Sequence, residues 1–78
     1  MHRIYFDIND PWDEDSYLLT VWGSLQDIER LGDVLQVGQR VVIYMTGECE
    51  SEAILERTPD GKDWVGRLVP GTWRYLTD

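Results

Sequence analysis

The chain has 78 residues, 42% of them hydrophobic, and a formal net charge of −8. That is room for one domain, residues 1–78, near the size at which a single core becomes marginal. Four Trp, four Tyr and one Phe supply large buried areas from few positions and argue against disorder, while the negative charge repels phosphate backbones and excludes direct nucleic-acid binding as the expected activity. The acidity is concentrated early: residues 1–33 carry eight acids against Arg3 and Arg30. Cys49 is the one cysteine, so no disulfide can form within the chain. "MHRIYFDIND" has neither a basic n-region nor an apolar h-region, and no apolar run reaches the length of a membrane helix. A cytoplasmic protein without a membrane association is expected.

"RIYFDI" alternates, with Ile4, Phe6 and Ile8 opposite Arg3, Tyr5 and Asp7, the pattern of a half-buried strand. "SYLLTVW" (16–22) reads as a second strand. The intervening "DINDPWDEDS" holds five carboxylates around Trp12 and is expected to be the loop of a long hairpin, where Pro11 is tolerated because it cannot donate to a ladder. In "GSLQDIERLG" the period changes. Leu25, Ile28 and Leu31 predict one face of a short helix over about residues 24–31, with Ser24 as N-cap, Asp27 in the first turn and Gly32 just past the end.

"RVVIYMT" (40–46) is apolar on both faces and is the candidate central strand. "ECESEAILER" (48–57) then places Cys49, Ser51 and Ala53 on one face and Glu48, Glu50 and Glu52 on the other. "TPDGK" predicts a turn, "DWVGRLV" a return strand, and "VPGT" a type II turn into a last strand "TWRYL". No link between neighbouring strands is long enough for a parallel crossover, so an antiparallel sheet is expected. Six short strands would expose edges unless the sheet curls. The expected fold is mainly β: a small, partly open, antiparallel SH3-like barrel of five to six strands with one short helix. The alternative is an α+β open antiparallel sheet with the helix packed on one face.

The segment "TPDGKDWVGRLVPGTWRYL" loosely resembles the distal hairpin, tryptophan strand and closing segment of SH3 domains, through Trp64, Gly66 and the acidic loop after the first strand. It departs from them at Val65, in lacking the closing Pro-Ser-Asn-Tyr pattern, and in the helix that interrupts the middle. The resemblance implies a barrel shape and identifies no family.

Function is not written in one motif. A calcium loop of EF-hand type would need oxygen ligands at alternate positions and a glycine; Pro11 occupies the third position and no glycine occurs between 7 and 16. Zinc lacks ligands, and no cofactor is expected. His2 is the single histidine, so no base is at hand for a serine or for Cys49, and no enzymatic activity is expected. The Glu48, Glu50 and Glu52 row reads as the solvent face of a sheet, with a carboxylate ladder for a basic partner as the alternative. Trp12 either folds back onto the barrel, the expected outcome for so large a ring, or offers a contact. These features point to a small non-catalytic interaction module, monomeric or weakly dimeric. It would bind a basic or extended protein segment through Trp12, Asp13, Glu14, Asp15, Trp73 and Tyr75. An acidic inhibitor that mimics nucleic acid and a cation-binding loop are the alternatives.

Overall fold

A computed structural model describes residues 1–76. Seven strands and one helix follow in the order β1 (Arg3–Tyr5), β2 (Pro11–Asp13), β3 (Ser16–Leu18), α1 (Trp22–Leu31), a 3-10 turn at Gly32–Val34, β4 (Arg40–Met45), β5 (Cys49–Arg57), β6 (Trp64–Leu68) and β7 (Arg74–Tyr75). They form one sheet in the spatial order β1-β4-β5-β6-β3-β2, with β7 paired to β5 beyond the end of β6.

The fold is mainly β with one short helix, as the periodicity implied, but the sheet is mixed and its hydrogen-bonded path does not close. β1 runs parallel to β4, with Ile4 opposite Ile43. The expectation of an all-antiparallel SH3-like barrel considered only links between neighbouring strands. Here residues 6–39, including β2, β3 and α1, serve together as the crossover that a parallel pair requires. The long hairpin expected between the first two strands is absent for the same reason. β3 pairs instead with β6, Tyr17 opposite Gly66, and with the short β2, Pro11 opposite Tyr17.

β4 is central, as its two apolar faces predicted, and lies between β1 and β5. Val41 and Ile43 point to the core, as do Cys49, Ser51, Ala53 and Leu55 from β5. Ile4, Phe6, Leu19, Trp64, Ile28, Leu31 and Leu35 complete this side. The VPGT turn forms with Gly71 at φ 81° and the Thr72 amide 3.3 Å from the Val69 carbonyl, the backbone that a type II turn demands of a glycine. Thr72 then fills the gap between β6 and β7. Its hydroxyl accepts from the Glu52 amide at 3.0 Å and donates to the Val69 carbonyl at 2.7 Å.

The helix begins two residues earlier than expected. Val21 is the cap residue and offers no side-chain bond, so Ser24 is an interior position rather than the N-cap, and Asp27 lies beyond the first turn. Gly32 ends the helix with φ 58°, as its place in the sequence implied. Leu25, expected inward, is 49% exposed. The inward stripe is Ser24, Asp27, Ile28 and Leu31, spaced i, i+3, i+4, i+7. Two of these four residues are polar, and both act on the backbone of β1.

Candidate functional site

An open sheet leaves edges, and each edge here has a different chemistry. In the parallel pair, the Phe6 amide donates to the Tyr44 carbonyl at 3.0 Å and the Val42 amide to the His2 carbonyl at 2.8 Å. The amide and carbonyl of Tyr5 therefore point away from β4. Asp27 Oδ2 accepts the Tyr5 amide at 2.9 Å and the Tyr44 hydroxyl at 2.8 Å, and the Ser24 hydroxyl donates to the Tyr5 carbonyl. Burial raises the pKa of the Asp27 carboxyl, but the bonds from Tyr44, Tyr5 and Arg30 outweigh it and hold the group below the usual carboxylate range. The Tyr44 hydroxyl is pushed the other way, by its burial and then by Asp27.

The opposite edge is β2. The Leu18 amide donates to the Asp10 carbonyl at 3.0 Å, so the next pair, Pro11 opposite Tyr17, turns the Pro11 nitrogen outward. Proline has no N–H to offer a passing strand, and a charged neighbour, Asp13, follows on the same short edge. Asp13 is tied locally. It accepts from the Ser16 hydroxyl at 2.7 Å and the Asp15 amide at 3.0 Å, which with Arg67 lowers its pKa. Arg67 also lies 3.7 Å from Asp15 and makes a two-pronged contact with Glu56 at 2.9 and 3.1 Å. Glu14, between the two aspartates, has no basic partner among the described residues.

Trp12 does not fold back. It is 43% exposed on β2 and joins no aromatic pair among the described residues. Pro11 and Tyr17 turn toward the core side, so the alternation of the strand sends Trp12 the other way. Trp73 is placed differently from Trp12. It is half-buried, with its ring 5.9 Å from Phe6, 6.4 Å from Tyr17 and 6.0 Å from Tyr75. Its indole N–H is buried without an acceptor among the described residues. Tyr75 is 70% exposed at the end of that row. The six residues singled out in the sequence thus fall in two places. Trp12, Asp13, Glu14 and Asp15 form the β2–β3 hairpin, and Trp73 and Tyr75 form the last segment.

The glutamate row is not a free ladder. Glu50 lies between Arg74 and Arg3, at 2.7 and 3.1 Å, and both contacts, Arg74 first, lower its pKa. Glu52 is paired with Arg40 and Glu56 with Arg67. Glu48 stands in the β4–β5 turn, off the row, with no basic partner among the described residues. The register that places arginines of β1, β4, β6 and β7 over these carboxylates was invisible in the local sequence pattern.

Two depressions among the described residues lie beside β5. One, about 430 Å3, is lined by Glu50, Glu52, Thr72 and Arg74, whose polar groups are already engaged with protein partners. The other, about 340 Å3, has Cys49 and Met45 among its lining, together with Ile8, Tyr75, Leu76 and Glu48. The sequence places Ile8 on a strand face and Glu48 in the glutamate row; what it does not show is that the two share this depression, where the Ile8 amide donates to the Met45 sulfur at 3.4 Å. Burial raises the pKa of the Cys49 thiol, which makes it a poorer nucleophile at neutral pH. Among the described residues no three His, Cys, Asp or Glu side chains converge on a point where a metal could sit, and no helix is long and apolar enough to cross a membrane. No family model matches the chain, and neither the curated proteins nor the solved structures searched gave a match.

Proposed function

We propose that this protein is a small, non-catalytic interaction module that takes a basic, extended segment of a partner protein. The observation that carries the reading is Trp12, a large exposed ring on an edge strand, close in sequence to Asp10 and Glu14, which have no basic partner among the described residues, and to Asp13 and Asp15, which share Arg67. An exposed tryptophan beside carboxylates suits an arginine or lysine side chain, which can stack on the ring while its charge is met by an acid. Tyr75 and the apolar depression beside it offer further contact area with Glu48 at the rim. The absence of an imidazole near Cys49 and the raised thiol pKa favour binding over catalysis.

A nucleic-acid mimic is a weaker reading, because the regular carboxylate row on β5 is already neutralised by arginines of the same chain. The test is a selection of random dodecapeptides displayed on phage against the immobilised protein. Peptides enriched in Arg and Lys should emerge, and Trp12→Ala should weaken their binding about tenfold or more while shifting the melting temperature by less than about 4 °C. Enrichment of neutral or acidic peptides, or a collapse of the melting temperature in Trp12→Ala, would overturn the proposal.

A further inference from the structure

Of the three edges of the sheet, the one at β1 is capped at Tyr5, the one at β2 carries a proline, and the one at β7 has neither. The outward groups of Tyr5 on β1 are taken by Asp27 and Ser24 from α1. On β2 the outward nitrogen belongs to Pro11. On β7 the register with β5 pairs Cys49 with Tyr75 and Glu50 with Arg74, and the Leu76 amide donates to the Glu48 carbonyl at 2.8 Å. Alternation in an antiparallel pair then makes positions 74 and 76 the bonded ones and turns the amide and carbonyl of Tyr75 away from β5. Neither group has a backbone partner among the described residues, and β7 itself pairs with β5 alone. Neither proline nor helix protects this edge, and its one charged side chain, Arg74, is held by Glu50 at 2.7 Å.

The empty lane beside β7 has definite walls. β6 and β7 lie along the same side of β5, and the outer side of β6 is occupied by β3. The Leu68 amide donates to the Asp15 carbonyl at 2.8 Å, so the Glu14–Asp15 turn stands where the lane begins. At its other end lies Leu76, bonded to Glu48. Glu14, without a basic partner among the described residues, stands at the head of the lane, while Glu48 lies across β7 on the β5 side, at the rim of the depression that Tyr75 lines. Tyr75, 70% exposed, provides a ring on the core side of the strand. A second copy of this chain would bring another −8 of charge to the same acids, whereas a basic segment is attracted to them.

We infer that the open edge of β7 at Tyr75 is a docking lane in which a basic, extended segment of another protein adds as a further strand of the sheet. Backbone bonds to Tyr75 supply the register, and a lysine or arginine side chain faces Glu14. This inference rests on the interaction reading above and specifies how the segment is held.

The experiment compares Tyr75→Ala with Tyr75→Pro, using the peptides recovered by display. Both variants lose the ring; only the second loses the outward N–H, and neither touches the ladder bonds to β5, which positions 74 and 76 make. Tyr75→Pro should bind the peptides tenfold or more weakly than Tyr75→Ala, and N-methylation of alternate peptide amides should weaken binding to the wild type similarly. Amide exchange at Tyr75 should slow when peptide is added. Equal binding by the two variants and by N-methylated peptide would overturn the docking lane while leaving the interaction module standing, whereas recovery of no basic peptide would overturn both. A doubled mass in light scattering of the wild type, lost in Tyr75→Pro, would mean that the lane accepts a second copy and would equally overturn the assignment to a basic partner.

Discussion

The edges at β1 and β7 belong to the same sheet, yet at Tyr5 one is sealed by side chains and at Tyr75 the other is left to the surroundings. At β1, an outward amide and carbonyl from Tyr5 meet Asp27 and Ser24 on the inward stripe of α1. At β7, the equivalent groups of Tyr75 meet no backbone partner among the described residues. An unpaired buried backbone group costs free energy, whereas one at the surface is satisfied by water and can exchange it for a partner strand. Breaking the sealed edge at Asp27 should therefore cost more stability than removing the exposed Tyr75 ring at the open edge, which is left for recognition.

Four measurements can break or sharpen that contrast. The largest effect is expected where the open segment meets the core: Trp73→Ala removes the ring packed on Phe6 and Tyr17 and should cost about 3 kcal/mol in urea unfolding. Trp73→Phe, which deletes the unpartnered indole N–H and keeps most of the packing, should cost under about 1 kcal/mol. If the two cost the same, the ring is not acting through its packing. Next comes the sealed edge, where Asp27→Ala leaves the Tyr5 amide and Tyr44 hydroxyl without their acceptor and should cost about 2 kcal/mol. A loss no greater than that of an exposed surface substitution would show that water already satisfies this edge.

Acid should probe the same contrast. Asp13, Asp27, Glu50 and Asp60 all have folded-state pKa values below their ordinary ones. A depressed carboxylate contributes stability that is present above its unfolded pKa, about 4, and is lost as pH falls through the folded value. Unfolding free energy should thus be flat near neutrality and decline below about pH 4, and Asp27→Asn should reduce that decline. A slope unchanged by Asp27→Asn would remove Asp27 from the account. The smallest effect belongs to the open edge. Tyr75→Ala should change stability by less than about 1 kcal/mol, because the side chain is mostly in water; a larger loss would mean that the ring closes the core rather than awaiting a partner.

Much of the local structure was legible because it depends on period and turn chemistry. The alternation of Cys49, Ser51 and Ala53 with glutamates predicted the two faces of β5, and Val69-Pro70-Gly71-Thr72 predicted its own turn. The helix was found but rotated, because Leu25, Ile28 and Leu31 match a threefold spacing that competes with Ser24, Asp27, Ile28 and Leu31. Apolar counting favours the first set, and only β1 rewards the polar members of the second. Of the candidate site residues, the hairpin acids and Trp12 lie on one short element and could be read together. Trp73 lies against Phe6 and Tyr17, residues distant in sequence, so its half-buried placement is not legible from its own neighbours.

By itself, the sequence determined a small, acidic, mainly β chain with one short helix, turns at its Pro-Gly and Asp-Gly steps, and carboxylates crowded near the start. Those properties rest on neighbours within a few residues. Tertiary structure alone decided that β1 lies parallel to β4, that arginines from four strands neutralise the β5 glutamates, and which of the three edges stays open. Each of these depends on strand register between distant segments, and a shift of one residue would exchange every inward side chain for an outward one.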